Sequence, residues 1–297
     1  MRFIKFISVS FLFFFTACGP GREAAWERES AETLKAKPGV EASADKKTLA
    51  AEAWAKRDER AQLEKAVALW DAVCAEDPSD VESLTSLARA YYLLGDGFIR
   101  VGGDTDAMIA TFEKGVLAGE KAMLASSEEF STRVRNGEKV EEAVVAIPSS
   151  GQPAMYWYAS NLGKFAVAKG FTTTLFYKDR IKSIMEHAQK IDENYFYGAP
   201  HRYFGAFYAK APSFAGGDMD KSKQHFDRSL EIAPDYLGTK VLYAEYYAAK
   251  SGDRELFDRL LNEVLNADPK VLPDIIPEQQ MEQAKAKILV GQADEIF

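Results

Sequence analysis

Only two cysteines, Cys18 and Cys74, and three histidines, His187, His201 and His225, occur in 297 residues. So few sulfur and imidazole groups exclude a disulfide framework and a four-ligand zinc site. Positive charge is also scarce. With 37 Lys+Arg against 45 Asp+Glu the formal net charge is -8, so no basic surface is available to hold nucleic acid by counterion release, and polybasic membrane docking is disfavoured. Catalytic signatures are missing as well. There is no Gly-x-Ser-x-Gly elbow, and GDGFIRVGG lacks the Gly-Lys-Ser/Thr end of a phosphate loop. The carboxylates fall on exposed helix faces, so the expectation is a protein that is not an enzyme and carries no cofactor or metal. What is present is core-forming material: 47% hydrophobic and 12% aromatic residues exclude wholesale disorder.

The amino terminus is organised as an address. Arg2 and Lys5 precede the apolar run Phe6 to Phe15, which is too short to span a bilayer. Thr16, Ala17 and Cys18 follow, and small residues before a cysteine resemble the lipobox of bacterial lipoproteins, although Phe15 stands where Leu is usual. That resemblance implies cleavage after residue 17 and acylation of Cys18, with loss of Arg2 and Lys5 making the mature chain more acidic still. Gly19, in place of Asp, implies the outer membrane, facing the periplasm. Residues 18–46, rich in Ala, Glu and Lys and broken by Pro20, Pro38 and Gly39, read as a tether. Cys74, left without a partner in the apolar register of WDAVCAEDP, reads as a buried inert thiol.

From residue 47 to 297 the chain repeats a helix, a break, a second helix and Asp-Pro or a variant of it, so the expected fold is all-α. Second helices align at 64–80, 221–236 and 255–270, with Pro234 and Pro269 35 residues apart. First helices align at 84–96, 156–170, 200–210 and 239–253, with Ala88, Gly163, Gly205 and Ala244 at the close-packing place and Tyr91, Tyr208 and Tyr247 three residues on. The spacing resembles the tetratricopeptide repeat, whose period is about 34 residues. Four pairs are clear, 47–80 is a fifth, degenerate one, and residues 277–296 read as an amphipathic capping helix.

Two departures from the repeat stand out. GGDTDAMIATFEKGV at 102–116 and GGDMDKSKQHFDRSL at 216–230 match at an offset of 114. A Gly-Gly before a helix can form an anion nest, but the Asp that follows repels an anion and serves as a helix cap, which is the favoured reading. The stretch from about 125 to 153 interrupts the period as a helical excursion or a partner-facing edge.

In such a stack the first helices build the inner wall. Aligning the small residues places Thr85, Arg89, Tyr92, Trp157, Ser160, Lys164, Arg202, Ala206, Lys210, Val241 and Glu245 on it, with His201 beside Arg202. Four of these residues, Arg89, Lys164, Arg202 and Lys210, are basic. A cationic concavity within an acidic protein suits a carboxylate-bearing ligand or an acidic partner, because a low-dielectric hollow focuses the field of a few charges.

The segments YWYASNLGKFA, GAPHRYFGAFYAKAPSFAGGD, HFDRSLEIAPDYLGTKVLYAEYYA and LLNEVLNADPKVLPDIIPEQQ, with the lipobox cysteine, resemble the TatT family of tetratricopeptide lipoproteins associated with TRAP transporters. The resemblance covers most of 60–290. It implies a periplasmic homotrimer with a pore through each subunit, association with a TRAP-type solute-binding protein, and a hydrophobic or carboxylate-bearing cargo. The alternative is a protein-binding scaffold lipoprotein of outer-membrane assembly or envelope maintenance. That reading requires an open groove where the first requires a closed, partly apolar hole.

Overall fold

The computed structural model describes residues 21–28 and 44–297, and among them every regular element is helical. Cleavage after residue 17, acylation of Cys18 and most of the tether concern residues outside that set. In chain order the helices are α1 (Ala25–Arg28), α2 (Ala44–Trp54), α3 (Arg60–Glu76), α4 (Val81–Leu93), α5 (Arg100–Gly102), α6 (Thr105–Ser126), α7 (Glu128–Arg135), α8 (Val140–Ala143) and α9 (Gln152–Lys169). They continue with α10 (Phe171–Ile191), α11 (Tyr195–Lys210), α12 (Met219–Ile232), α13 (Leu237–Leu242), α14 (Ala249–Ser251), α15 (Arg254–Asn266), α16 (Ile276–Gly291) and α17 (Ala293–Ile296). The pairs α2/α3, α4/α6, α9/α10, α11/α12 and α13/α15 stack into a helical solenoid.

Each start follows from its sequence. Asp80, Asp104, Asp218 and Asp253 each accept a hydrogen bond from the third amide of the helix they open, satisfying a donor that has no partner within the helix. In the matched Gly-Gly-Asp turns the Asp is therefore a cap. The left-handed residue is Gly103 in the first turn and Gly216 in the second.

Close packing differs from expectation at one glycine. Gly205 lies against Phe226, where a Cβ would approach the ring to 2.7 Å, and Ala88 and Ala244 are fully buried, but a Cβ on Gly163 would meet nothing. The close approach to α9 is made instead from α6, where a Cβ on Gly119 would come within 2.7 Å of the Tyr158 backbone.

The 125–153 stretch forms α7, α8 and two short 3-10 turns, burying Phe130, Val140, Val144 and Ile147 in the main core. Residues 21–28, read from sequence as part of a tether, are seated on that core through Ala24, Ala25 and Trp26. The helix α16, read from sequence as part of a cap, does more than cap the stack. Glu278, Met281, Glu282 and Lys285 of α16 are buried, and α16 reaches the turn that follows α4.

Candidate functional site

The cavity arises where α9 and α11 offer small side chains. Ala159, Ser160 and Gly163 on α9 and Ala199 and Ala206 on α11 leave a space that α10 and the Tyr243–Ala248 turn enclose. Its volume is about 350 Å³, the size of a small-molecule site. The wall is mostly apolar, with the rings of Tyr92, Tyr156, Tyr203, Phe207 and Tyr246 prominent. Four basic residues line it, Lys164, Lys178, Arg202 and Lys210, and no Asp or Glu among the described residues does.

The four cations differ in what holds them. Lys164 Nζ sits 2.6 Å from Asp96 Oδ1; burial works against its charge, but Asp96 outweighs that and holds its pKa up to about 12. Asp96 is itself buried, a cost offset by Lys164, Lys285 (2.6 Å) and Arg100 (3.4 Å), which keep it well below the ordinary carboxylate range. Arg100 continues to Glu245 at 2.7 Å. This buried network joins two widened π turns, Leu94–Ile99 and Tyr243–Ala248, an irregularity frequent at functional sites.

Arg202 is structural as well as cationic. It stacks over Tyr236 at 4.3 Å and donates to the carbonyls of Phe196 (3.2 Å) and Tyr197 (2.9 Å). Those two aromatic residues have φ of 42° and 61°, left-handed values that a bulky residue adopts only when its surroundings enforce them. Lys178 pairs with exposed Asp179 at 2.6 Å. Lys210 has no carboxylate partner among the described residues; its ammonium lies 5.0 Å from the Tyr246 ring. Partial burial lowers its pKa; the attraction of Glu245 opposes this, and repulsion from Lys164 and Arg100 adds to it.

Behind Tyr92 lies an inner chamber of about 30 Å³, lined by Arg89, Trp157, Phe196, Tyr236 and the α16 charges. Arg89 bonds Glu278 at 2.8 Å amid the rings of Trp54, Trp157 and Phe196. Tyr92 lines both spaces.

The profile of the TRAP transporter T-component family matches residues 59–297. The chain belongs to the TRAP transporter T-component family. That is a family of transporter accessory components, not of enzymes. Comparison with curated proteins finds no match. No helix among the described residues of this T-component is long and apolar enough to cross a membrane, and no group among them could hold a metal ion.

In the T-component Tyr92, Ser160, Lys164, Arg202, Ala206 and Lys210 line the cavity, while Arg89, Tyr92 and Trp157 line the inner chamber. Glu245 stands behind the wall on Arg100. Three wall assignments are corrected. Val241 is buried in the C-terminal core, Thr85 lines neither space, and His201 lies elsewhere, between Glu193 (2.8 Å) and His225 (3.0 Å). One helical position of drift turns a side chain by about 100°, enough to carry it out of the wall.

Sequence reasoning missed Asp96, which looked like the end of a helix, and the α16 charges Glu278, Glu282 and Lys285. Their spacing of four and three residues puts them on one face, and such a face normally reads as solvated. That all three are buried follows only from the return of α16 to the turn after α4.

Proposed function

We propose that this T-component docks the solute-binding protein of a TRAP-type transport system and takes an apolar, carboxylate-bearing ligand into the cavity between α9 and α11. The observation that carries the reading is a largely apolar wall with four basic residues and, among the described residues, no carboxylate. A pocket of about 350 Å³ with a mostly apolar lining supports a ligand-handling role. Lys164 and Arg202 are occupied by Asp96 and by backbone carbonyls. Lys210 makes no ion pair among the described residues, and Glu245 acts on it only at longer range.

The proposed working form is a homotrimer anchored through acylated Cys18 at the outer membrane, facing the periplasm. With decanoate as the probe, Lys210→Met is expected to weaken binding by about tenfold in calorimetry, the worth of one charge-assisted hydrogen bond, with helicity unchanged. Equal affinity of the two proteins would refute the role of Lys210. Co-purification from membranes tests the docking: recovery of a TRAP solute-binding protein supports it, and recovery of an outer-membrane assembly barrel instead would replace it with the scaffold reading.

A further inference from the structure

The seated amino-terminal segment has a direction. Gly21 lies on the ring of Phe176, so close that a Cβ would approach it to 2.7 Å. The Arg22 amide donates to the Tyr177 hydroxyl at 2.7 Å, and its guanidinium pairs with buried Glu120. Further along, Trp26 is buried edge-on to Phe130 and Tyr158, with Arg180 5.7 Å from its ring. Residues 21, 22 and 26 thus meet α10 at 176, 177 and 180 in order, so the segment enters the body from the end where α9 turns into α10.

Cys18 precedes Gly21 by three residues, and three residues span at most about 11 Å. From Phe176 back to Phe171, the start of α10, is about 7.5 Å of helix. Chain length therefore limits Cys18 to within about 11 Å of Gly21.

Three of the four exposed phenylalanines among the described residues, Phe171, Phe176 and Phe214, belong to α10 and the segment after α11. Val167 is 36%, Phe176 54%, Phe171 59% and Phe214 81% exposed. Exposed Val167 and Phe171 also line the cavity, and Phe214 sits between Pro212 and Ala215, which line it too. Uncovered rings gathered around one opening mark an interaction surface. Lys169, exposed on the same turn, supplies a cation for anionic headgroups.

We infer that Val167, Phe171, Phe176 and Phe214 form the face by which the protein sits on the phospholipid bilayer, with the cavity mouth turned to the lipid. This rests on acylation of Cys18. The acyl chains supply the affinity, the short leash sets the orientation, and the rings enter the headgroup region as interfacial aromatics do. A ligand with an apolar tail then passes between bilayer and cavity without crossing water.

The test uses the lipidated chain in vesicles of phosphatidylethanolamine and phosphatidylglycerol, spin-labelled at Phe214→Cys or Phe171→Cys. Val271→Cys, an exposed site on the α15–α16 connection, is the control. Native Cys74 does not compete, since burial pushes its thiol up to about 12. Collisions with oxygen relative to a water-soluble nickel chelate should be several-fold more frequent at 171 and 214 than at 271. Control-like accessibility at both positions, on protein retained by the vesicles, overturns the inference. Protein that washes off and carries no acyl mass on Cys18 instead overturns the anchor reading, and the inference with it. Dipolar broadening between labels at 214 in the Cys18→Ser chain without vesicles overturns it in a third way, by assigning the face to a second copy.

Discussion

Lys210 and Arg202 look alike in the sequence, each a basic residue on one face of one helix, but the structure gives them opposite standing. Arg202 props two left-handed aromatic residues through their carbonyls, so its removal, alone or together with Lys164, mixes folding with binding. Lys210 can be changed without orphaning a buried group. His225 adds a titratable contact away from the cavity. Burial, then the neighbouring His201, pushes its pKa from 6.5 to about 4, with Lys221 also acting on it and Glu193 holding His201. A histidine held neutral in the fold contributes stability that is complete above the unfolded value of 6.5 and is lost as pH falls toward 4. The thermal midpoint should therefore drop across that window, and His225→Gln should flatten the drop. Glu193, held down to about 2 by Arg228 and His201, begins to lose its contribution only below its ordinary value of 4.5, so most of the window belongs to His225. Identical pH profiles for the two proteins would contradict this role of His225.

Helices, their order and most of their pairing were legible because apolar periodicity and Asp caps are local properties. Which helix a small residue serves is not local. Gly163 and Gly119 both lie on helices that cross in the core, yet one opens the cavity and the other admits a neighbouring backbone. Gly119→Ala is expected to destabilise by about 1–3 kcal/mol through overpacking against Tyr158. Gly163→Ala should leave stability equal or raise it by about 0.5–1 kcal/mol, while narrowing the cavity and weakening decanoate binding. Urea unfolding of both variants decides the point: similar midpoints for the pair would mean the two glycines are equivalent. The π turns at Leu94–Ile99 and Tyr243–Ala248 were illegible for a related reason. A widened turn has no composition of its own, and here it is held by an Asp96, Arg100 and Glu245 chain that crosses between elements.

At the scale of the molecule, two large cores divide the chain, one reaching from Ala24 to Phe204 and one from Phe226 to Ala293, with Met281 of α16 belonging to the first and a small third cluster at Ala233, Tyr236 and Ile275. Charge helps to close the halves together. Glu278 holds buried Arg57 at 2.8 Å and Arg89 at 2.8 Å, partners 221 and 189 residues away. Glu278→Ala leaves two guanidiniums without their carboxylate and should cost about 3–5 kcal/mol; a denaturation midpoint within error of the parent would show that the pairs contribute nothing. The sequence by itself determined an all-α chain, its helix pairs, its caps and the family to which 59–297 belongs, because hydrophobic period, capping and motif are written in neighbouring residues. It also brought Tyr92, Ser160, Lys164, Arg202 and Lys210 to one wall. Only the tertiary structure decided that residues 21–28 are part of the body, that α16 returns to the turn after α4, and that no carboxylate among the described residues faces the cavity. Each of those depends on contacts between residues far apart in the chain, where one helical position of register decides whether a charge lines a cavity or is neutralised behind it.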